Sequence, residues 1–345
     1  MNQILVSPHS LSVSLAEIIH RLEEEADGFL AIVDADHHFL GTITLRDVRR
    51  GILHQKTSWR EMINVEAYKL TTQQLPISPK QLGIQTNQAF IPVVDSENKL
   101  VEIIKIDPAY RVSFPNQVVI MAGGLGKRLG ELTRDLPKPM LPMGHKPVLH
   151  IIIETLVEQG FREFFLCLNY KSEVIREYFG DGSSFGATIA YVEESSPMGT
   201  AGSLSLIKES FQHPFFVMNG DLITTLNLQS LLQFHREKEA IATMCLHEYN
   251  QQMPFGVVHT RNSKILSLEE KPYHKYFINA GIYLLNPAAL DYLPYHTACD
   301  MTTVFDSMLQ ADEAVHAYII NEFWVDIGQT ETYESTRNYF THFNL

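Results

Sequence analysis

Met121-Ala-Gly-Gly-Leu-Gly-Lys-Arg-Leu-Gly130, followed downstream by Pro137-Lys138-Pro139, decides how this chain is read. The apolar run at 118–122 is strand-sized, so the glycines fall where open α/β sheets bind their ligands. Lacking a Cβ, glycines let backbone N–H groups approach a polyphosphate closely. The stretch is not a Walker A loop: Met121 stands where the first glycine is needed, and Arg128 replaces Ser/Thr. Nor is it a dinucleotide fingerprint, because three residues, not two, separate Gly126 from Gly130. Lys127, Arg128, Arg134 and Lys138 place four cations close together in a chain of formal net charge −13. Glycines on one side and Pro-Lys-Pro on the other favour a phosphate site over a solvated basic face.

Strand and helix patterns alternate outward from this loop. Residues 164–169, 189–193 and 215–218 read as strands, and Val148–Glu158, Ser172–Phe179 and 200–210 as helices. That succession predicts a mainly parallel, helix-covered sheet. The runs 241–248, 256–260, 265–268 and 277–285 follow in quick succession and predict an antiparallel addition. The expected architecture is a Rossmann-like mixed α/β sheet at 117–345, a linker at 113–116 within the proline-flanked stretch 108–115, and a small α/β domain at 1–112.

With 345 residues, two domains are expected. The composition, 45% hydrophobic and 19% charged, is that of a globular protein. Both halves are acidic: residues 1–112 hold 11 basic and 14 acidic side chains, leaving 16 and 26 of the totals of 27 and 40. Nucleic acid and anionic membranes are therefore not expected partners. No apolar run reaches the roughly 20 residues of a membrane span, and the N-terminus lacks an export pattern. Three widely spaced cysteines without a CxxC suit a reducing, cytoplasmic setting.

Residues 1–112 hold a weak repeat of about sixty residues. Phe29-Leu-Ala-Ile-Val33, the polar turn Asp34-Ala-Asp-His-His38 and Leu40–Val48 are echoed by Phe90-Ile-Pro-Val-Val94, Asp95-Ser-Glu-Asn98 and Leu100–Asp107. A helical pattern at 15–25 precedes the first copy, and the two small units are expected to pack on each other. The arrangement resembles a tandem pair of CBS motifs (a Bateman module), carried by Gly41-Thr-Ile-Thr44-Leu-Arg-Asp47. The resemblance implies that Thr44 and Asp47 bind the ribose and phosphate of an adenosine or guanosine nucleotide. With Asp107 kept and Ile104 at the threonine position, the second copy is expected to lack that site. Otherwise Thr44 and Asp47 are turn and capping residues, and the module serves for packing.

Ala122-Gly-Gly-Leu-Gly-Lys-Arg-Leu-Gly-Glu-Leu-Thr and Leu136-Pro-Lys-Pro-Met-Leu-Pro142 resemble the signature of the sugar-phosphate nucleotidylyltransferases, over the whole of 117–345. Lys127 departs from the common Thr/Ser. The resemblance implies that a sugar 1-phosphate oxygen attacks the α-phosphorus of a nucleoside triphosphate and pyrophosphate leaves. Ala122, Gly123, Gly124, Gly126 and Lys127 would bind the nucleotide, Arg128 its β- and γ-phosphates, and Lys138 would sit near the α-phosphate. Asp221 and Asp326 would hold Mg²⁺, a hard cation suited to carboxylates. Lys271 would pair with the sugar phosphate, while Gly256, Glu270 and Asn279 would face the sugar. Glu194, Gly199 and Thr200 fall in the base-binding segment. A carboxylate only accepts hydrogen bonds and guanine offers two adjacent donors, so Glu194 favours GTP, and Gly199-Thr-Ala-Gly202 resembles the mannose-1-phosphate guanylyltransferase branch.

The pairing with a CBS module resembles bacterial enzymes making GDP-sugars for lipopolysaccharide, capsule or nonulosonic acid biosynthesis. Mannose, glucosamine and heptose phosphates all fit the spacing, and a homo-oligomer is expected. Two other readings are a cytidylyl- or uridylyltransferase acting on an acceptor such as phosphocholine, and a non-catalytic nucleotide sensor. The scattered histidines form no HExxH, and there is no GxSxG. The aromatic tail from Tyr333 reads as packing.

Overall fold

The computed structural model describes residues 4–6, 13–24, 28–53, 56–78, 81–82, 88–107 and 113–342. The N-terminal region runs β1 (Ile4–Val6), α1 (Leu15–Glu24), β2 (Phe29–Val33), β3 (Phe39–Thr44), α2 (Leu45–Leu53), β4 (Leu70–Thr71), β5 (Phe90–Val94) and β6 (Leu100–Lys105). The repeat is structural. β1 is parallel to β2, and β2 antiparallel to β3; β4, β5 and β6 copy both relations. Each hairpin bulges at the same place, after Ile32 and after Val93.

Each turn is built around an aspartate. Asp34 Oδ1 accepts from the backbone N–H of Asp36 and His38, as Asp95 Oδ1 does from Glu97 and Lys99. His37 and Asn98 take the same left-handed φ, 66° and 63°. The copies meet through stacked Phe29 and Phe90 rings, centroids 4.7 Å apart, above a core with Ala31, Phe39 and Val94.

This register corrects one expectation. Phe29 pairs with Thr44 as Phe90 pairs with Lys105, so Lys105, not Ile104, holds the threonine position. Asp107 then matches Arg46, and the second copy keeps neither residue of the motif. The two copies stand 61 residues apart at every paired position, from Phe29 and Phe90 to Thr44 and Lys105, one more than a spacing of sixty allows.

Beyond residue 113 come β7 (Val118–Met121), β8 (Pro142–Met143), β9 (Lys146–Pro147), α3 (Val148–Glu158), β10 (Glu163–Leu168), α4 (Ser172–Phe179), β11 (Thr188–Glu193), β12 (Phe215–Asn219) and β13 (Leu222–Thr224). They are followed by α5 (Leu228–Glu237), β14 (Ala242–Gln252), β15 (Val257–Arg261), β16 (Lys264–Glu269), β17 (Tyr273–Leu285), α6 (Met301–Gln310), β18 (Val315–Ile320), β19 (Trp324–Asp326) and α7 (Thr330–His342). The chain forms two compact units, one of residues 1–197, 220–225 and 325–345, the other of 198–219 and 226–324.

In the first unit β7, β10 and β11 are parallel neighbours; β7 and β10 are largely apolar and buried, as strands covered on both faces must be, whereas β11 alternates buried and exposed residues. Helix α3 buries Leu149, Ile152, Ile153 and Leu156. The second unit has a mixed arrangement. β17 is antiparallel to both β12 and β14, β14 is parallel to β18, and β15 and β16 form an antiparallel hairpin.

The expected helix at 200–210 is instead two short 3-10 turns, Gly202–Leu206 and Lys208–Ser210. The Ala201 and Gly202 N–H groups donate to the Cys299 carbonyl, and the segment continues through i−3 bonds, Leu204 to Ala201, Ile207 to Leu204 and Ser210 to Ile207. The tail from Tyr333 is helical in α7, with Tyr333 and Phe340 buried. All three cysteines are free and buried. Part of the 108–115 linker lies outside the described residues, and no described helix is long and apolar enough to cross a membrane.

Candidate active site

In the first unit the glycine loop leaves the carboxyl end of β7. The Ala122 N–H donates to the Cys167 carbonyl and the Gly220 N–H to the Met121 carbonyl, 2.9 Å in each case, which fixes the loop's root. Gly126 has φ 61°, and a Cβ there would lie 2.7 Å from Thr133 Cγ2. The Thr133 hydroxyl ties the loop back by donating to the Gly126 carbonyl at 3.1 Å. Lys127 and Arg128 are exposed on the 3-10 turn that follows, and nothing lies within 4 Å of a Cβ built on Gly124.

Gly123 lies against the base-segment candidate. A Cβ there would stand 3.1 Å from Asn169 N and 3.4 Å from Glu194 Oε1. Asn169 Nδ2 donates to the Glu194 carbonyl at 2.8 Å, so Glu194, 8% exposed, is held at the end of β11.

Lys138, Asp221 and Asp326 converge although 188 positions separate the first from the last. The Lys138 ammonium donates to Asp221 Oδ2 and stands 3.7 Å from Asp326 Oδ1. Asp221 lies between β12 and β13, and its carbonyl accepts from the Ile327 N–H beside β19 at 3.1 Å. Asp326 Oδ1 accepts from the Gly328 N–H at 2.6 Å. A Cβ on Gly328 would sit 2.7 Å from Asp326 Oδ1, 3.0 Å from Lys138 Nζ and 3.5 Å from an Arg128 guanidinium nitrogen, so three charged groups border that glycine. Burial pushes the Asp221 carboxyl above the usual carboxylate range, against the pull of Lys138 and with a further push from Asp326.

Asp221 Oδ1 is buried without a hydrogen-bond partner. A buried anionic oxygen lacking a donor is costly, and a hard divalent cation satisfies it. The donor set, two carboxylates with one oxygen unengaged, thus fits Mg²⁺.

The second unit carries the other candidates. Gly199 has φ 75°, and a Cβ there would strike the Cys299 carbonyl oxygen at 2.6 Å. The Thr200 N–H donates to Asp300 Oδ1 at 3.1 Å, and the Thr200 hydroxyl accepts from the Met301 N–H at 2.8 Å, capping α6. Thr200 therefore shapes the loop, and its hydroxyl is engaged within the chain.

Gly256 lies against Glu270, whose Oε2 would be 3.0 Å from an added Cβ. Lys271 is exposed at φ 45°, a left-handed conformation uncommon for lysine. At Asn279 the β14–β17 register shifts between Met244 and Leu246. Asn279 donates to the Tyr283 hydroxyl at 2.7 Å and accepts from the Gly281 N–H at 2.9 Å, and Trp324 Nε1 donates to the Ala280 carbonyl at 2.9 Å. The Asn279 amide thus holds the bulge.

In the N-terminal repeat, Thr44 and Asp47 form a reciprocal cap on α2. The Thr44 N–H and hydroxyl donate to Asp47 Oδ2 at 3.0 and 2.7 Å, and the Asp47 N–H donates to the hydroxyl at 3.1 Å.

Sequence reasoning missed Thr133, Asn169, Asp300, Trp324 and Gly328. Only Gly328 carried a local signal, a glycine two residues after an expected ligand.

The nucleotidyl transferase family model matches residues 117–342, and the CBS domain model matches residues 6–54. The "Probable mannose-1-phosphate guanylyltransferase 1" of Oryza sativa subsp. japonica is 36% identical over 228 residues, covering 63% of this chain and 62% of that protein. The UTP–glucose-1-phosphate uridylyltransferase of Synechocystis sp. is 34% identical over 237 residues, covering 63% and 61%. The chain thus spans about three-fifths of the length of these curated relatives. The crystal structure of HddC from Yersinia pseudotuberculosis is similar with a TM-score of 0.53 at 25% identity, over 65% of this chain and 99% of that one.

Proposed function

We propose, from the premise that the chain belongs to the nucleotidyl transferase family, that it condenses a nucleoside triphosphate with a sugar 1-phosphate to give a nucleotide sugar and pyrophosphate. The observation that carries this reading is the Lys138–Asp221–Asp326 cluster beside Arg128 and the glycine loop. A sugar phosphate oxygen forms the new bond to the α-phosphorus, and the bond from that phosphorus to the bridging oxygen of pyrophosphate breaks. The nucleophile is already anionic, so the protein needs no general base. Its task is to align two anions and neutralise the charge on the leaving group.

Backbone N–H groups of Gly123, Gly124 and Gly126, with Lys127, would cradle the polyphosphate. Arg128 would grip the β- and γ-phosphates through its planar fork, and Lys138 would meet the α-phosphate. Asp221 and Asp326 would hold Mg²⁺, which when bound supplies further charge neutralisation. Lys271 would pair with the sugar phosphate, with Gly256, Glu270 and Asn279 along the sugar. We further propose that residues 1–112 act as a regulatory or assembly module, through nucleotide binding at Thr44 and Asp47 in the first copy or through packing. A GDP-sugar for cell-surface glycan synthesis is the product this reading favours.

Relatives named for guanylyl and uridylyl transfer both match, so the base is decided within this chain. Glu194, buried beside Gly123, supports guanine, because its two carboxylate oxygens can accept from N1–H and the exocyclic amine together. A glutamine there would turn a donor toward guanine. We expect Glu194→Gln to lower the ratio of kcat/KM for GTP to that for UTP by about ten- to a hundredfold, the usual worth of a bidentate base contact. An unchanged ratio, or a wild-type preference for UTP, would overturn the guanine assignment.

A further inference from the structure

The Lys138 backbone cannot travel far. It lies in a buried 3-10 turn between Pro137 and Pro139, closed by the Met140 N–H on the Pro137 carbonyl at 2.8 Å and the Leu141 N–H on the Lys138 carbonyl at 3.1 Å. From that anchor the side chain, 10% exposed, reaches both carboxylates. Its ammonium takes Asp221 Oδ2 and leaves Oδ1 without a partner. Arg128 stands close by across Gly328. A divalent cation on the pair would lie within a few ångströms of two positive charges, where repulsion in a partly buried setting is strong. A nucleotide brings the one thing the lysine lacks, another anionic oxygen near enough to draw its flexible stem away.

We propose that Lys138 is a resident counter-cation for this carboxylate pair. It holds divalent metal off the nucleotide-free protein and yields the site when a polyphosphate arrives, so metal and nucleotide enter together. The inference rests on the reading of Asp221 and Asp326 as the metal-holding pair and assigns Lys138 a role before chemistry begins.

The test is Mn²⁺ binding to the full chain without nucleotide, followed by the loss of the free-ion paramagnetic resonance signal, with melting temperature as a second readout. Lys138→Met should bind Mn²⁺ about tenfold more tightly than wild type or better, since one opposing charge is gone, and adding Asp221→Asn should erase that gain. Mn²⁺ should raise the melting temperature of Lys138→Met and leave wild type unmoved. Lys138→Gln, which keeps a donor for Asp221 but no charge, should behave as Lys138→Met and replaces it should the methionine variant fold poorly. Equal affinity in wild type and both lysine variants would overturn the proposal. Loss of that shared affinity in Asp221→Asn would still leave the metal pair standing. A gain that survives Asp221→Asn would place the cation elsewhere and overturn the proposal together with the metal reading it rests on.

Discussion

At Gly328 a single methyl group is enough to disturb the site. Its Cβ would fall 2.7 Å from Asp326 Oδ1, closer than real Cβ atoms come to their neighbours, and 3.0 Å from Lys138 Nζ, a tight contact. One of the two charged groups must move, and small misplacements in a site of this kind cost about a hundredfold in rate. Gly328→Ala should lower turnover by about ten- to a hundredfold and leave the melting temperature nearly unchanged; steady-state rates beside a thermal melt check both. A fully active alanine variant would mean that Asp326 needs no fixed position. This glycine shows how residue-level information hides. Arg128, Lys138 and Asp221 stand out in the sequence as cations beside glycines and a carboxylate ending a strand. The residues that hold them in place do not. Asn169 and Thr133 act through backbone groups, Asp300 grips a loop a hundred positions away, and such partners leave no local pattern.

Among the elements, α5 carries a charge-free histidine. His235, on its buried face, pairs through Nδ1 with the Thr243 hydroxyl of β14 at 2.8 Å, while Nε2 is buried without a partner. Burial, with smaller pushes from Arg236 and His316, lowers its pKa from 6.5 to about 4. The unfolded chain therefore binds this proton first. Its contribution to stability is complete above pH about 6.5 and is lost as pH falls through about 4. His235→Leu should flatten the decline of melting temperature between those values relative to wild type, and parallel declines would contradict a neutral buried imidazole.

Elements with a strong period were legible. The bounds of α3 and α4 match the apolar spacing residue for residue, and the antiparallel run after residue 241 was readable from its close-set strands. The helix read at 200–210 is instead a pair of 3-10 turns whose bonds run to the third residue back, with its first amides tied to the Cys299 carbonyl; apolar spacing alone does not distinguish the two. The repeat was visible, but its register was one residue off, because a period of about sixty is too coarse to fix the 61-residue offset that strand pairing shows between Phe29–Thr44 and Phe90–Lys105. α5, capped by Asn227 through the N–H groups of Gln229 and Ser230, was not anticipated, although an asparagine in front of an apolar run is a known start signal.

On the scale of the whole molecule, the acidic background gives the cation cluster its meaning. A net charge of −13 repels polyanions in general, so under the proposed function phosphate binding would be confined to the few places where cations gather around glycines. The N-terminal repeat adds a second candidate nucleotide surface, limited to its first copy by the loss of both motif residues in the second. Residues 117–342 belong to the nucleotidyl transferase family, and the first unit brings Lys138, Asp221 and Asp326 together beside Arg128.

The measurement that tests this reading most directly is pyrophosphate release by the full chain with Mg²⁺. GTP, UTP, CTP, ATP and dTTP would each be crossed with mannose-, glucosamine-, N-acetylglucosamine- and glucose-1-phosphate, with Asp221→Asn alongside. Release should require both substrates, be fastest with GTP, and be abolished in a folded Asp221→Asn variant. Silence across the matrix from folded protein, or undiminished release by Asp221→Asn, would contradict this reading.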